Sequence, residues 1–190
     1  EAPLTINGRD IQTAGVDLSN TATTGGTLTV NVDPGTNGAF DWKINGDVEA
    51  GSVDVNGTGT NDTVDFTDTY TVTSRSGAID MADGGNIATI KLINTNNLTA
   101  TITNVDANDT NVTLPDVDGD NPGAGNEGNL TVNSTGSITI GNGGNINLSA
   151  GAVTGGTLTA NFDTDNDGTE TLTLNGTTDV GGISVSGGTD

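Results

Sequence analysis

The strongest chemical signal in the chain is the acidic segment Asp163-Thr164-Asp165-Asn166-Asp167-Gly168-Thr169. Carboxylates at alternate positions before a glycine are typical of the first half of a calcium-binding loop, because the glycine allows a sharp turn that directs successive oxygen atoms at one hard cation. The twelfth position of such a loop would carry a bidentate glutamate, but here it is Leu174. Carbonyl groups, water or a distant carboxylate would therefore complete the ligand set, and a solvated acidic turn is the alternative. The predicted calcium ligands are Asp163, Asp165, Asp167 and Thr169.

A second acidic segment, Asp116-Val117-Asp118-Gly119-Asp120, lies between Pro115 and Pro122. The two prolines predict a stiffened loop that holds together carboxylates which would otherwise repel one another. A calcium site and an ordinary surface loop both fit this pattern. The predicted ligands are Asp116, Asp118 and Asp120. A third segment, Asp106-Ala107-Asn108-Asp109, is a weaker calcium candidate, for which a solvated turn is the favoured interpretation.

The net charge indicates a partnership with cations. The chain has 21 aspartates and four glutamates against four cationic side chains, which leaves a formal charge of −21, and no cation follows Lys91. A field of this sign repels nucleic acid and anionic lipid, and its self-repulsion opposes folding unless cations from solution bind. No apolar run approaches the roughly 20 residues that span a bilayer. We expect divalent cations, calcium above all, as partners, with no nucleic acid and no membrane insertion.

The residue types that the chain lacks exclude most familiar enzyme chemistry. Cysteine and histidine are both absent, which excludes disulfides, zinc sites, thiol nucleophiles and imidazole bases. Paired carboxylates can act as acid and base on glycosides. Aromatic residues, however, make up only 3% of the chain, and the carboxylates lie in glycine-rich turns rather than beside apolar groups that would raise a pKa. We expect no enzymatic activity.

Apolar residues recur at alternate positions, which is the pattern of β-strands. Leu28, Val30 and Val32 form one such segment, and Ile138 and Ile140 belong to another, with Gly, Asn and Asp between the segments. Apolar residues make up only 31% of the chain, too few for a thick core. The sequence therefore predicts an all-β protein with a thin core and almost no helix.

The chain also contains internal repeats. Segment 24–33 (TGGTLTVNVD) recurs at 154–163 (TGGTLTANFD), which we call the TGGTLT repeat, and a weaker repeat relates 71–79 to 131–138. Self-similarity of this kind is typical of stacked units that bury little on their own. We predict a single all-β unit. It spans residues 1–190, with internal repeats at approximately 4–57, 70–120 and 130–190.

Two architectures fit these patterns, and the first is favoured slightly. A parallel β-solenoid with about 20 residues per turn would make the spacing of the weaker repeat three turns, and its narrow core explains the low aromatic content. An antiparallel β-sandwich, immunoglobulin-like or jelly-roll, would use the Asn-Gly pairs as hairpin turns, because both positions of a type I′ turn need positive φ angles. In the sandwich, strand exchange would join the subunits.

Parts of the chain resemble the large repetitive, Thr/Asn/Gly/Asp-rich surface proteins of prokaryotes. The segment from Asn129 to Ala150 resembles the β-solenoids of haemagglutinin-type and autotransporter proteins. Residues 156–159 (GTLT) and the acidic segment 116–120 are similar to strands and loops of calcium-rigidified adhesin extender domains. The resemblance covers about half of the chain, and it implies a class of extracellular or cell-surface proteins.

Within that class we expect a structural protein, a subunit or segment of a microbial surface filament, fibre or layer. It would assemble with copies of itself by β-strand pairing and be stabilised by calcium. The alternative is a calcium-dependent adhesin module that binds a glycan or a surface. Its candidate aromatic contacts would be Trp42, Phe40 and Tyr70, although their positions in alternating strands favour burial.

Overall fold

The computed structural model describes residues 2–21, 23–35, 38–58, 61–83, 86–92, 98–119, 128–141, 145–148 and 155–188. In these ranges the chain consists of β-strands and their connections, without an α-helix. No helix in the described ranges therefore has the length and hydrophobicity that a membrane crossing requires. The prediction of an all-β protein is confirmed.

The strands are short and follow one another closely. The first eight are β1 (Leu4–Gly8), β2 (Ile11–Thr13), β3 (Val16–Asp17), β4 (Ser19–Thr21), β5 (Thr24–Gly25), β6 (Thr27–Val32), β7 (Asp41–Ile44) and β8 (Val48–Ala50). The next eight are β9 (Ser52–Asn56), β10 (Asp62–Phe66), β11 (Thr71–Ser74), β12 (Ile79–Asp80), β13 (Ile87–Leu92), β14 (Thr99–Asn104), β15 (Val112–Leu114) and β16 (Asp116–Asp118). The remainder are β17 (Asn129–Ser134), β18 (Ile138–Ile140), β19 (Asn145–Leu148), β20 (Thr157–Asn161), β21 (Leu172–Leu174), β22 (Thr177–Val180) and β23 (Gly182–Ser186).

Three parallel sheets of seven strands each enclose the core. Sheet 1 has the order β1-β6-β9-β12-β15-β18-β21, sheet 2 the order β2-β7-β10-β13-β16-β19-β22, and sheet 3 the order β3-β8-β11-β14-β17-β20-β23. The chain visits sheets 1, 2 and 3 in rotation, and each visit adds a strand in parallel register to the one before. Only β4 and β5 form an antiparallel pair among the described strands. The parallel β-solenoid is confirmed, and the antiparallel sandwich is wrong.

The turns of this solenoid are longer than the sequence predicts. Leu4 pairs with Leu28, 24 residues later, and Ile138 pairs with Leu172, 34 residues later. The weaker repeat spans two turns rather than three, because Val72 pairs with Ile102, and Ile102 pairs with Val132. Loops of different length at the corners account for the variation between turns.

The TGGTLT repeat does not place its two copies in equivalent positions. Leu28 lies on β6 in sheet 1, whereas its counterpart Leu158 lies on β20 in sheet 3. Both side chains are nevertheless fully buried. The repeated sequence therefore encodes a strand and the turn after it, but not the sheet that the strand joins.

The core is a stack of aligned apolar side chains. Alternate residues of each strand point inward, as in β6, and parallel register places each of them over its equivalent in the next turn at the ~4.8 Å spacing of neighbouring strands. One such column in sheet 1 comprises Leu28, Val53, Ile79, Val112 and Ile138. All five side chains are at most 1% exposed, so each turn is stabilised mainly by burial between its two neighbours.

The aromatic residues lie in or against this core. Trp42 on β7 is completely buried, and its indole Nε1 donates a hydrogen bond to Oγ1 of Thr13 over 3.0 Å. Phe40 and Tyr70 are partly buried and pack against the core. The expectation that burial takes precedence over ligand contact is met for Trp42.

Candidate metal centre

Three successive corners between sheet 3 and sheet 1 bring three acidic side chains together. The loops after β14 and β20, residues 105–111 and 162–171, are long, whereas the corner after β17, residues 135–137, is short. Both long loops form hydrogen bonds to the short corner or to the residue just before it. The hydroxyl of Thr135 donates to the carbonyl oxygen of Asp106 over 2.7 Å, and the backbone N–H of Thr164 donates to that of Ser134 over 3.1 Å. The two long loops, one on each side of the short corner, thereby meet above it.

A glycine in the short corner permits this approach. A Cβ atom at Gly136 would collide with the backbone carbonyl of Asp109, so any larger residue would push the first loop away. Asp109 itself has a φ of 55°, in the left-handed region that aspartate tolerates better than most residues. The corner therefore holds the Asp109 carboxylate towards the second long loop.

The carboxylates of Asp109, Asp165 and Asp167 converge where the two loops meet. One oxygen atom of each lies within 4.8 Å of the others. The Oδ1 atom of Asp109 is buried and has no hydrogen-bond partner among the described residues. A cluster of carboxylate oxygens with one buried, unsatisfied acceptor suits a hard cation such as Ca²⁺, which takes oxygen ligands in flexible geometry. These three residues would hold the ion, and carbonyl groups or water would complete its coordination.

The electrostatics of the cluster are unfavourable without a cation. Desolvation raises the pKa of Asp109 above its ordinary value, and the negative charges of Asp167 and Asp165 raise it further. Both effects disfavour the ionised carboxylate, and like charges at this separation repel one another. A divalent cation would reverse the sign of the local field and convert the repulsion into attraction.

Asp163, the first predicted ligand, has a different role in the structure. It is buried and has a φ of 50°, and its Oδ1 atom accepts a hydrogen bond from the backbone N–H of Asp167 over 3.1 Å. Its carboxylate thus stabilises the turn from which the other two carboxylates project. Thr169 is exposed and is not part of the carboxylate group.

The equivalent turn in the first copy of the TGGTLT repeat shows the same local geometry. Asp33 is buried with a φ of 49°, and its Oδ2 atom accepts a hydrogen bond from the N–H of Gly38 over 3.1 Å. Arg9 lies 3.6 Å from the Asp33 carboxylate, so an internal cation already faces it. This agrees with the sequence, in which the first copy retains only one of the three carboxylates.

Sequence reasoning therefore found two of the three clustered residues and missed Asp109. Its segment was a weaker calcium candidate for which a solvated turn was favoured, and more than 50 residues of chain separate Asp109 from Asp165. The signal that could have found it is the short Thr135-Gly136-Ser137 corner between two long acidic loops. Without a known turn length, however, nothing in the sequence assigns the three corners to one edge of the solenoid.

The second predicted calcium segment does not form a loop where it is described. Asp116, Val117 and Asp118 constitute strand β16, with Val117 buried and both aspartates on the outer face of sheet 2. The predicted loop is wrong for these residues, because an acidic-apolar-acidic triplet satisfies the alternation of a strand. The third predicted ligand, Asp120, lies outside the described residues.

Five charged residues and one asparagine form a row across the outer face of sheet 2. Successive pairings run from Lys43 to Asp65, Lys91, Asp118, Asn147 and Asp179. Asp65 is 6% exposed, and its burial raises its pKa more than any other influence does. The hydrogen bond that Thr63 donates to Asp65 over 2.8 Å lowers this pKa, and so do the positive charges of Lys91 and Lys43. The negative charge of Asp41 raises it. The net result is a raised pKa.

We expect the Asp65→Asn variant to gain stability over the native protein as the pH rises from about 4 towards neutrality. A raised folded-state pKa means that the native state binds more protons than the unfolded state between the unfolded and the folded pKa values. The contribution of Asp65 to the free energy of unfolding therefore falls as the pH rises through that interval. Chemical denaturation at a series of pH values measures the difference between variant and native protein. The exposed Asp68→Asn variant is the control, and an equal pH dependence for both variants would contradict the expectation.

Comparison with protein-family models, curated proteins and solved structures gives no significant match. The chain is therefore described by its own geometry, a parallel β-solenoid with an acidic cluster at one corner.

Proposed function

We propose that the protein is an extracellular structural protein, a subunit or segment of a microbial surface filament, fibre or layer that calcium stabilises. The observation that supports this is the unbroken register of three parallel sheets, which continue strand by strand to β21, β22 and β23. In the described structure each of these strands pairs on one side only. The proposal includes no catalytic role: the protein would act by pairing strands with other copies and by stiffening the resulting assembly.

The outermost strand of sheet 3 offers an edge that can accept a further strand. Ile183 and Val185 on β23 are 52% and 51% exposed, although their partners one turn below, Leu158 and Ala160, are fully buried. Another parallel turn would bury them in the same way. Unpaired backbone and half-exposed apolar side chains together make a template for strand pairing. When the added turn belongs to another copy, the contact is head to tail, and repeated contacts of this type give an open fibre.

Calcium would act at the corner rather than at the edge. An ion held by Asp109, Asp165 and Asp167 would link two loops that come from turns two strands apart in sheet 3. Crosslinking these turns would stiffen the part of the solenoid that adjoins β23, whose register any further strand must match. The proposal therefore couples the presence of calcium to assembly.

Negative-stain microscopy with light scattering tests the proposal most directly. Purified protein is examined in millimolar calcium and again after chelation. We expect regular polymers in calcium that dissolve when the ion is removed. Particles that remain monomeric in both conditions would rule out the structural-subunit proposal.

The Val185→Lys variant is expected to abolish polymer formation, because its charge would be buried without a partner at each strand contact. The matched control is Ser184→Lys, which puts the same charge one residue away on the outward face of the same strand. Light scattering at equal protein concentration measures both, and circular dichroism checks that each is folded. Polymerisation of Val185→Lys at the native level would show that β23 does not form the contact.

A further inference from the structure

A cleft in the described surface lies on sheet 3, beside the carboxylate cluster, and shares the loop 162–171 with it. It has a volume of about 550 Å³ and runs across the ends of β14, β17, β20 and β23. This volume falls in the range of small-molecule sites, about 300 to 1,000 Å³. Its floor and wall include Thr103, Asn133, Asn161, Phe162 and Ser186.

Amide and hydroxyl groups form an ordered column along the floor. The side-chain nitrogen of Asn161 donates to Oδ1 of Asn133 over 2.7 Å, and the nitrogen of Asn133 donates to the hydroxyl oxygen of Thr103 over 3.2 Å. Parallel register aligns the three residues on adjacent strands. An amide has two N–H donors and an oxygen with two lone pairs, so each asparagine retains hydrogen-bonding capacity beyond the column. The column fixes the directions of the N–H donors and oxygen lone pairs that remain available to a ligand.

Phe162 supplies an apolar surface beside this column. The ring is partly buried against the core and also lines the cleft. Few aromatic residues are available in this chain, which has three phenylalanines, one tyrosine and one tryptophan. An aromatic ring next to oriented polar groups offers a ligand one apolar face and one hydrogen-bonding edge.

The charge distribution selects a neutral ligand. Strands β11, β14, β17, β20 and β23 contain no charged residue, although the chain carries a net charge of −21. Among the described residues that line the cleft none is cationic, and Asp165 and Asp167 belong to the loop that forms its wall, so an anion would be repelled. The carboxylate of Asp163 also lines the cleft, but it is 5% exposed and its Oδ1 atom accepts the N–H of Asp167, so that it presents little surface to a ligand.

We infer that this cleft binds a neutral saccharide. Asn133, Asn161 and Thr103 pair with the sugar's hydroxyl groups, and Phe162 contacts the C–H face of its ring. As far as the structure describes it, the floor contains none of the three clustered carboxylates and none of the exposed apolar side chains of β23 that carry the assembly proposal. The cleft and the cluster share the loop 162–171, so binding is measured with and without calcium to separate the saccharide proposal from calcium-dependent polymerisation.

Binding is tested first on an array of neutral hexose and N-acetylhexosamine oligosaccharides, with uronic-acid oligosaccharides of the same length for comparison. The neutral oligosaccharide with the highest signal is then titrated calorimetrically into native protein and variants, in calcium and after chelation. We expect Asn133→Leu to weaken binding about tenfold, since it removes the central member of the column and leaves its neighbours unpaired. Phe162→Leu, which keeps an apolar side chain, is expected to weaken binding several-fold.

The matched control is Asn31→Leu in sheet 1. Asn31 is also the centre of an asparagine column, since it donates to Asn7 over 2.6 Å and accepts from Asn56 over 3.1 Å, but it does not line the cleft. Its variant should bind the saccharide as the native protein does. The inference is overturned if no neutral oligosaccharide binds, if uronic-acid oligosaccharides bind more tightly, or if Asn31→Leu and Asn133→Leu lose affinity equally.

Discussion

Replacement of Trp42 by alanine is expected to lower the free energy of unfolding by about 3 to 5 kcal/mol. The side chain is the largest in a narrow core and is completely buried. It lies between Ile11 and Val64 of the adjacent turns. Its removal leaves a cavity that two stacked turns cannot both close, and Thr13 loses the indole N–H that it accepts over 3.0 Å. Chemical denaturation followed by circular dichroism measures the change.

The control is Leu172→Ala, at the position that corresponds to Trp42 when the register of the TGGTLT repeat is continued. Leu172 lies on β21 and is only partly buried, so we expect a loss of about 1 kcal/mol. This comparison tests whether burial in the stack, rather than the repeated sequence, determines the contribution of a side chain. A loss below about 1 kcal/mol for Trp42→Ala would contradict the packing of the core described here.

Neutralisation of one clustered carboxylate is expected to have opposite effects with and without calcium. Asp109→Asn should stabilise the calcium-free protein, because it removes one of three like charges within 4.8 Å of one another. The same change should abolish the stabilisation that calcium confers on the native protein. That stabilisation amounts to about 2.7 kcal/mol when the free ion is at 100 times its dissociation constant. Thermal denaturation with calcium and with chelator measures both effects.

The control for this experiment is Asp10→Asn, which removes one negative charge at an exposed position outside the cluster. It should retain the full stabilisation by calcium. Asp165→Asn is expected to behave like Asp109→Asn, although the two residues belong to different turns. If Asp109→Asn still gains the native increment from calcium, the ion is not held where the two loops meet.

The Trp42→Ala and Asp109→Asn predictions concern two different parts of the solenoid, its core and its corner loops. The stack of apolar columns supplies the stability of each turn, and the corner loops supply the chemistry. Loop length at a corner can change without disturbing the stack, as the turns of 24 and 34 residues show. Long loops on either side of a short corner can therefore bring acidic side chains together above it. In the proposed filament, calcium at such a corner stiffens the stack that strand pairing extends.

Strand identity follows from the sequence by itself, because the alternation of apolar and polar residues is a local property of an extended chain. The segment from Leu28 to Val32 is a buried strand in the structure, as its pattern predicts. The turn that follows is local as well. Asp33 and Asp163 adopt the same left-handed conformation, and the carboxylate of each accepts a backbone N–H from four or five residues further on, although their strands belong to different sheets.

Only the tertiary structure decided which turns lie next to each other. The length of each turn depends on how many residues every corner contains, and the strand pattern does not encode that number. For this reason the sequence does not show that Asp109 meets Asp165 and Asp167. Their contact results from the stacking of three separate corners, and the collision that any side chain at Gly136 would cause is visible only once those corners are stacked.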